Sequence, residues 1–373
     1  MQVESAVLDR TLSRRPVLRP QKHNQHMGVR MMKNIPTLLR LSLLCLLSAH
    51  VAAQALPRAD YKYTADLKLG GAGLGDYLTL DSTSHRLYVT HYEQVTVVDT
   101  VTNAILGSVG PFKIAHGVAI VNGLGKGYAS DGAAGVLKEF DLSDFHIIKE
   151  IKVTDDADGV VFDPSSGSVL VVGGDAKTLS IVDVKDDTVR TVVLPGQPEF
   201  LTVDQKGRVF VNLVDVGAVA EVDIATGHVG ATWSLKNCKA PHGIAYDVRT
   251  DRLFSSCANG RMVVVDPSTG HNLANLEIGQ GSDTVVADSD RGLVFSSNSD
   301  GTLTVVHEGA GDVYRVVRTI PTFFGGRNMA IEPHVGTLFI AHGNMKMVST
   351  LADLRALRFG WDGLDVARFE VAP

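Results

Sequence analysis

A segment that recurs about every forty residues constrains this chain more than any other feature. DYLTLD ends at Asp81, DGVVFD at Asp163, EFLTVD at Asp204, HGIAYD at Asp247 and DTVVAD at Asp288. HGVAIV, ending at Val121, and RNMAIE, ending at Glu332, belong to the same set. Successive copies lie 40, 42, 41, 43, 41 and 44 residues apart. A period of this length means stacked supersecondary units, none of which can bury its apolar face alone.

Each unit has the same anatomy. A short apolar run ends in an acid and is followed by a polar turn such as PSSGS. A second run follows, for example RVFVN or RLFSS, then a loop rich in Gly, Asn and Asp. A third run ends at Asp99, Asp141, Asp183, Asp223 or Asp266, with His307 in that place in the sixth unit. A turn such as ATGH leads to a fourth, alternating run. Runs of this length, rich in β-branched residues and bounded by turn residues, are strands. The expected fold is therefore all-β: a seven-bladed β-propeller of four-stranded antiparallel blades, closed into a ring so that few strand edges stay exposed. The propeller is expected over residues 60–351. The seventh unit lacks a fourth strand of its own, and ADLKLG (65–70) has the right pattern to supply it from the N-terminal end. Met345 to Leu351 makes a poor third strand for this unit. Residues 352–373 have no counterpart in the repeat and read as a tail, with Leu364 to Val371 as an alternative closing strand.

Residues 31–55 have a basic start (Lys33, Arg40), a short apolar run from Leu41 to Leu47 and the small-x-small pattern Ala53-Gln54-Ala55. This is the pattern of a secretory signal peptide, and the run is too short to span a membrane. Met31 or Met32 is then the expected start, which makes residues 1–30 a misassigned extension. The protein is expected to be periplasmic or secreted, without a membrane span, and monomeric. Residues 1–55 carry eight basic and two acidic residues of the chain's 35 and 41, which leaves 27 and 39 and a net charge of −12. Such a body repels phosphate backbones, so nucleic acid is a poor partner. Cys238 and Cys257 remain after cleavage, and an even count in an oxidising compartment suggests a disulfide. Both fall toward the same face of the fifth blade.

The residue five places before each strand-ending acid is Asp76, His116, Asp158, Glu199, His242, Asp283 and Arg327 in turn. All seven are polar or ionisable, whereas the positions after them are mostly apolar. The innermost strand of a blade starts at the mouth of the central channel, so these side chains are expected to form a ring there. His91, Asp131, Asp175, Asp215, Asn259, Asn298 and Asn344 are expected as an outer shell on the same face. Such a ring can bind a cation, raise a carboxyl pKa, or stay solvated. Asp158, Glu199, His242 and Asp283 are the candidate metal ligands, with zinc suiting His and carboxylate, and calcium suiting carboxylate and amide oxygens. The strand-ending aspartates read instead as turn caps. Gly117, Gly159 and Gly243, next to ring positions, read as sites of close backbone approach. The chain has no CxxCH, HExxH, P-loop or GxSxG motif.

RLYVTH at 86–91, VTVVDT after it and turns such as ATGH resemble the YVTN-repeat propellers of exported bacterial proteins, the YncE-like group in particular. The resemblance covers residues 62–345. His91 stands where the motif usually has Asn, and only the first unit carries YVT. The wider superfamily includes lactonases, haem d1 domains and quinoprotein subunits, so the resemblance implies a fold more than an activity. The expected function is an exported, non-catalytic propeller that binds a partner protein or small ligand at the acidic mouth. One alternative is a metal-dependent, lactonase-like hydrolase in which Glu199, Asp158 and Asp283 hold the ion and His116 or His242 moves a proton. Another is a redox-associated subunit, for which no cofactor ligand pattern is visible.

Overall fold

The computed structural model describes residues 59–72, 75–347 and 359–372. The proposed extension and signal peptide lie outside them. Among the described residues, 28 strands form seven four-stranded antiparallel sheets, and the one helical segment is a single 3-10 turn at Asn122–Leu124. Six blades are contiguous in the chain, from Leu78–Val109 in the first to Ser282–Pro321 in the sixth. The seventh draws on both ends of the chain. Its strands run, from the inside outward, Met329–Ile331, Leu338–Met347, Phe359–Val371 and Tyr61–Ala72.

The N-terminal strand closes the ring as expected, but the third strand differs from the expectation. Phe359–Val371, which reads as a tail in the sequence, takes that place and pairs with both Leu338–Met347 and Tyr61–Ala72. In the first five blades the third strand runs into an aspartate that caps the turn to the fourth. Here the fourth strand comes from the other end of the chain, so no such turn exists and no such signature is needed.

The core consists of seven wedges, each filled from two adjacent blades. Leu170, Leu179 and Ile181 of the third blade pack on Val209, Val211 and Val222 of the fourth. Leu67, Leu364 and Val366 of the seventh pack on Leu87, Val89 and Val98 of the first. Every second strand therefore has both faces covered, and Ser168–Gly173 is buried along its whole length. Six blades place an aromatic ring at one equivalent second-strand position: Tyr88, Tyr128, Phe210, Phe254, Phe295 and Phe339, all fully buried. Rings of this size dominate the packing of such wedges. The aspartate caps are present: the Asp99 carboxylate accepts from the N–H groups of Val101 and Thr102, and Asp266 accepts from that of Ser268.

One buried carboxyl gives a pH-dependent term. Burial and a hydrogen bond shared with Asp247 push Glu308 up to about 7, against the opposing effects of Thr250 and of Arg249, whose Nη2 lies 3.5 Å away. Tyr314, paired with Glu308 across the ladder, also faces its carboxyl. Its folded value lies above its unfolded one, so the native state holds the proton more tightly between them. The contribution is complete below about pH 4.5 and is lost as pH rises through about 7. Glu308→Gln is expected to lie within about 1 kcal/mol of the parent at pH 5 and to exceed it at pH 8 by on the order of 3 kcal/mol. Urea unfolding at the two pH values checks this, and equal stabilities at pH 8 would refute it.

Candidate functional site

The ring residues owe their aim to a backbone irregularity. The ladder between first and second strands skips at Ala115/Val118, Ala157/Val160, Pro198/Leu201, Pro241/Ile244 and Ser282/Thr284. His116, Asp158, Glu199, His242 and Asp283 all fall inside these skips. A bulge releases a residue from the pleat and turns its side chain out of the sheet. Asp76 and Arg327 lie just before the first strands of their blades. The preceding blade then anchors several of these positions. Ser130 Oγ donates to the Asp158 carbonyl at 2.6 Å, Asn212 Nδ2 to the His242 carbonyl at 2.7 Å, and Ser297 Oγ to the Arg327 carbonyl. These second-strand residues recur at the repeat spacing, a signal that the sequence reading passed over.

The seven side chains form two connected groups. In the first, His116 Nδ1 hydrogen-bonds to Asp76 Oδ2 and lies 3.6 Å from Asp158 Oδ1. In the second, His242 Nδ1 lies 3.2 Å from Glu199 Oε1 and 3.3 Å from Asp283 Oδ1. The other oxygen of Asp283 accepts from Asn328 Nδ2 at 2.9 Å and lies 3.5 Å from Arg327 Nε. The four residues proposed to share one ion are thus divided: Asp158 sits with Asp76 and His116, apart from Glu199, His242 and Asp283. Within each trio the candidate ligand atoms lie within 4.8 Å of one another.

Their charges compensate. Burial opposes the charged form of His116, but its bond to Asp76 and the nearby charge of Asp158 outweigh that and raise it to about 9. Hydrogen bonds to Asp283 and Glu199 raise His242 to about 10. Burial, and then the charge of Asp76, hold Asp158 well above the usual carboxylate range. The mouth is therefore less acidic than its four carboxylates suggest.

Beneath the ring lies a feature that the sequence reading missed. The positions after the ring residues are Tyr77, Gly117, Gly159, Phe200, Gly243, Thr284 and Asn328. Tyr77 of the first blade meets Phe200 of the fourth with ring centroids 4.7 Å apart, and blades so far around the ring can touch only across the channel. A Cβ on Gly159 would sit 3.1 Å from the Tyr77 hydroxyl. A Cβ on Gly117 or Gly243 would sit 2.5 or 2.6 Å from a backbone nitrogen of the next blade. The glycines thus permit close approach, as expected, and one of them also makes room for the tyrosine. The Tyr77 hydroxyl and Asp158 Oδ1 are buried without a hydrogen-bond partner. The signal in the sequence was the pair of aromatics at a position otherwise held by small or polar residues.

The expected outer shell serves the loops. Asp131 accepts from the N–H groups of Lys113 and Ile114 and pairs with Lys138 at 3.2 Å. Asp215 accepts from the N–H of Gln197 and Asn259 from that of Lys239. Asn298 is wholly buried and donates to Thr302 and Thr304. The side chain of Asn344 lies outside the described residues. Cys238 and Cys257 form a disulfide with Cα atoms 5.4 Å apart, which ties the loop before His242 to the second strand of its blade. A third trio, Asp66, His342 and Asp365, lies in the seventh blade, but Lys68 Nζ pairs with both acids at 3.2 and 2.5 Å and already supplies their counter-charge.

No family model and no curated protein matches this sequence. Solved structures with the same architecture include three of diverse roles. Hydrazine synthase from Kuenenia stuttgartiensis has a TM-score of 0.65 at 14% identity, covering 77% of this chain and 96% of that one. Virginiamycin B lyase from Staphylococcus aureus gives 0.66 at 11%, covering 84% and 100%. U3-55K gives 0.69 at 12%, covering 83% and 99%. Identities this low carry the fold alone, and two enzymes beside U3-55K fix no activity. The chain is a seven-bladed β-propeller.

Proposed function

We propose that this chain is an exported propeller of the YncE-like kind that binds a small ligand, or a side chain of a partner protein, in the cup at its channel mouth, without catalysis of its own. The observation that carries this reading is the cup. Seven ionisable side chains, each supplied by a different blade, converge on a floor made by Tyr77 and Phe200. Convergent polar groups over an aromatic base have the composition of a ligand-binding site. The disulfide and the leader-like segment support export, since such bonds persist in oxidising compartments.

A screen of small molecules against the purified chain by thermal shift tests the reading. Ligands that raise the melting temperature of the parent are expected to lose that effect in Asp158→Asn/Tyr77→Phe. They should keep it in Asp144→Asn, which changes an exposed turn far from the mouth. Stabilisation that persists in the ring variant would place binding elsewhere and overturn the proposal.

A further inference from the structure

We infer that Glu199, His242 and Asp283 form a binding site for a divalent transition cation of the zinc class; this deepens the reading of the mouth as a binding cup and rests on it. The two trios of the ring differ in geometry, and the difference selects this one. A tetrahedral ion bonded to nitrogen and oxygen at 2.0–2.1 Å sets its ligand atoms about 3.3 Å apart. His242 Nδ1 stands 3.2 Å from Glu199 Oε1 and 3.3 Å from Asp283 Oδ1, two edges of that figure. In the other trio the edges are unequal, because His116 has closed onto Asp76 while Asp158 stays at 3.6 Å.

The surroundings of the second trio hold it in place. Asp283 is 8% exposed, and its far oxygen is held by Asn328 and Arg327, the outer support that orients a ligating carboxylate. Asn212, itself held by Ser255, fixes the backbone at His242 and Gly243. The disulfide braces the loop before them. A second observation points to a ligand here. The Tyr77 hydroxyl is buried without a partner, among the carboxylates of Asp158, Glu199, Asp76 and Asp283. A fourth ligand on the ion, such as water, would give that hydroxyl a group to bond. One nitrogen and two carboxylate oxygens suit zinc or cobalt better than calcium, which takes six to eight oxygens.

Titration of the full-length chain with zinc chloride by calorimetry, and with cobalt chloride by visible absorption, tests the inference. The parent is expected to bind one equivalent of zinc and to give the intense visible bands of tetrahedral cobalt. Glu199→Gln and His242→Gln should each weaken binding at least 100-fold. Asn328→Ala, which frees Asp283 without removing a ligand, should weaken it about 10–100-fold. Asp144→Asn, in an exposed turn away from the mouth, should leave it within about threefold. Circular dichroism of each metal-free variant separates loss of binding from loss of fold. Absence of zinc binding by the parent overturns the inference, as does octahedral cobalt absorption or equal weakening in Asp144→Asn. If zinc fails to bind while small-molecule stabilisation still depends on Asp158 and Tyr77, the metal site falls and the cup stands. If neither depends on the ring, both fall.

Discussion

A chain lacking residues 359–373 is expected not to fold to a cooperative ring. The deletion removes the third strand of the seventh blade, which bonds Leu338–Met347 on one side and Tyr61–Ala72 on the other. It therefore also releases the N-terminal strand and opens the ring. Leu364, Val366 and Phe369 are at most 1% exposed, and each contributes about 1.5–3 kcal/mol by burial. Leu67 and Tyr61 of the released strand are buried as well. The combined loss reaches the whole stability of an ordinary domain, about 5–15 kcal/mol. Size-exclusion chromatography and thermal melting followed by circular dichroism should show aggregation or a broad, non-cooperative loss of structure. A truncated monomer with a single sharp transition near that of the parent would disprove the role given to this segment.

The second large effect is expected at Gly117. An added methyl would lie 2.5 Å from the backbone nitrogen of Val160 and 2.9 Å from the carbonyl oxygen of Asp158. Neither atom belongs to a flexible side chain, so relief requires the second and third blades to move apart at their shared wedge. Overpacking of this kind costs about 3 kcal/mol, so Gly117→Ala should lower the melting temperature by roughly 4–6 °C for a domain of this size. Gly123→Ala provides the comparison. Its Cβ would meet nothing within 4 Å and its φ is not in the left-handed region, so its stability should change by less than about 0.5 kcal/mol. Similar melting temperatures for the two variants would show that the rim is looser than these distances imply.

The repeat makes the fold legible in the sequence itself. The period fixed the number of blades, the strand-ending aspartates marked the turns, and the position five residues upstream identified the side chains that gather at the mouth. Such information is local, since a blade writes its strand lengths and turns into its own forty residues. Three other features depended on contacts between blades. The seventh blade's third strand shares no turn signature with the others, because its neighbour comes from the opposite end of the chain. The Tyr77–Phe200 floor joins blades that lie far apart around the ring, so spacing along the sequence says nothing about their meeting. The division of the ring into two trios depends on which carboxylate each imidazole reaches, a matter of ångströms between side chains that the repeat treats as equivalent. Periodicity specifies which residues face inward; side-chain reach across the axis decides which of them touch.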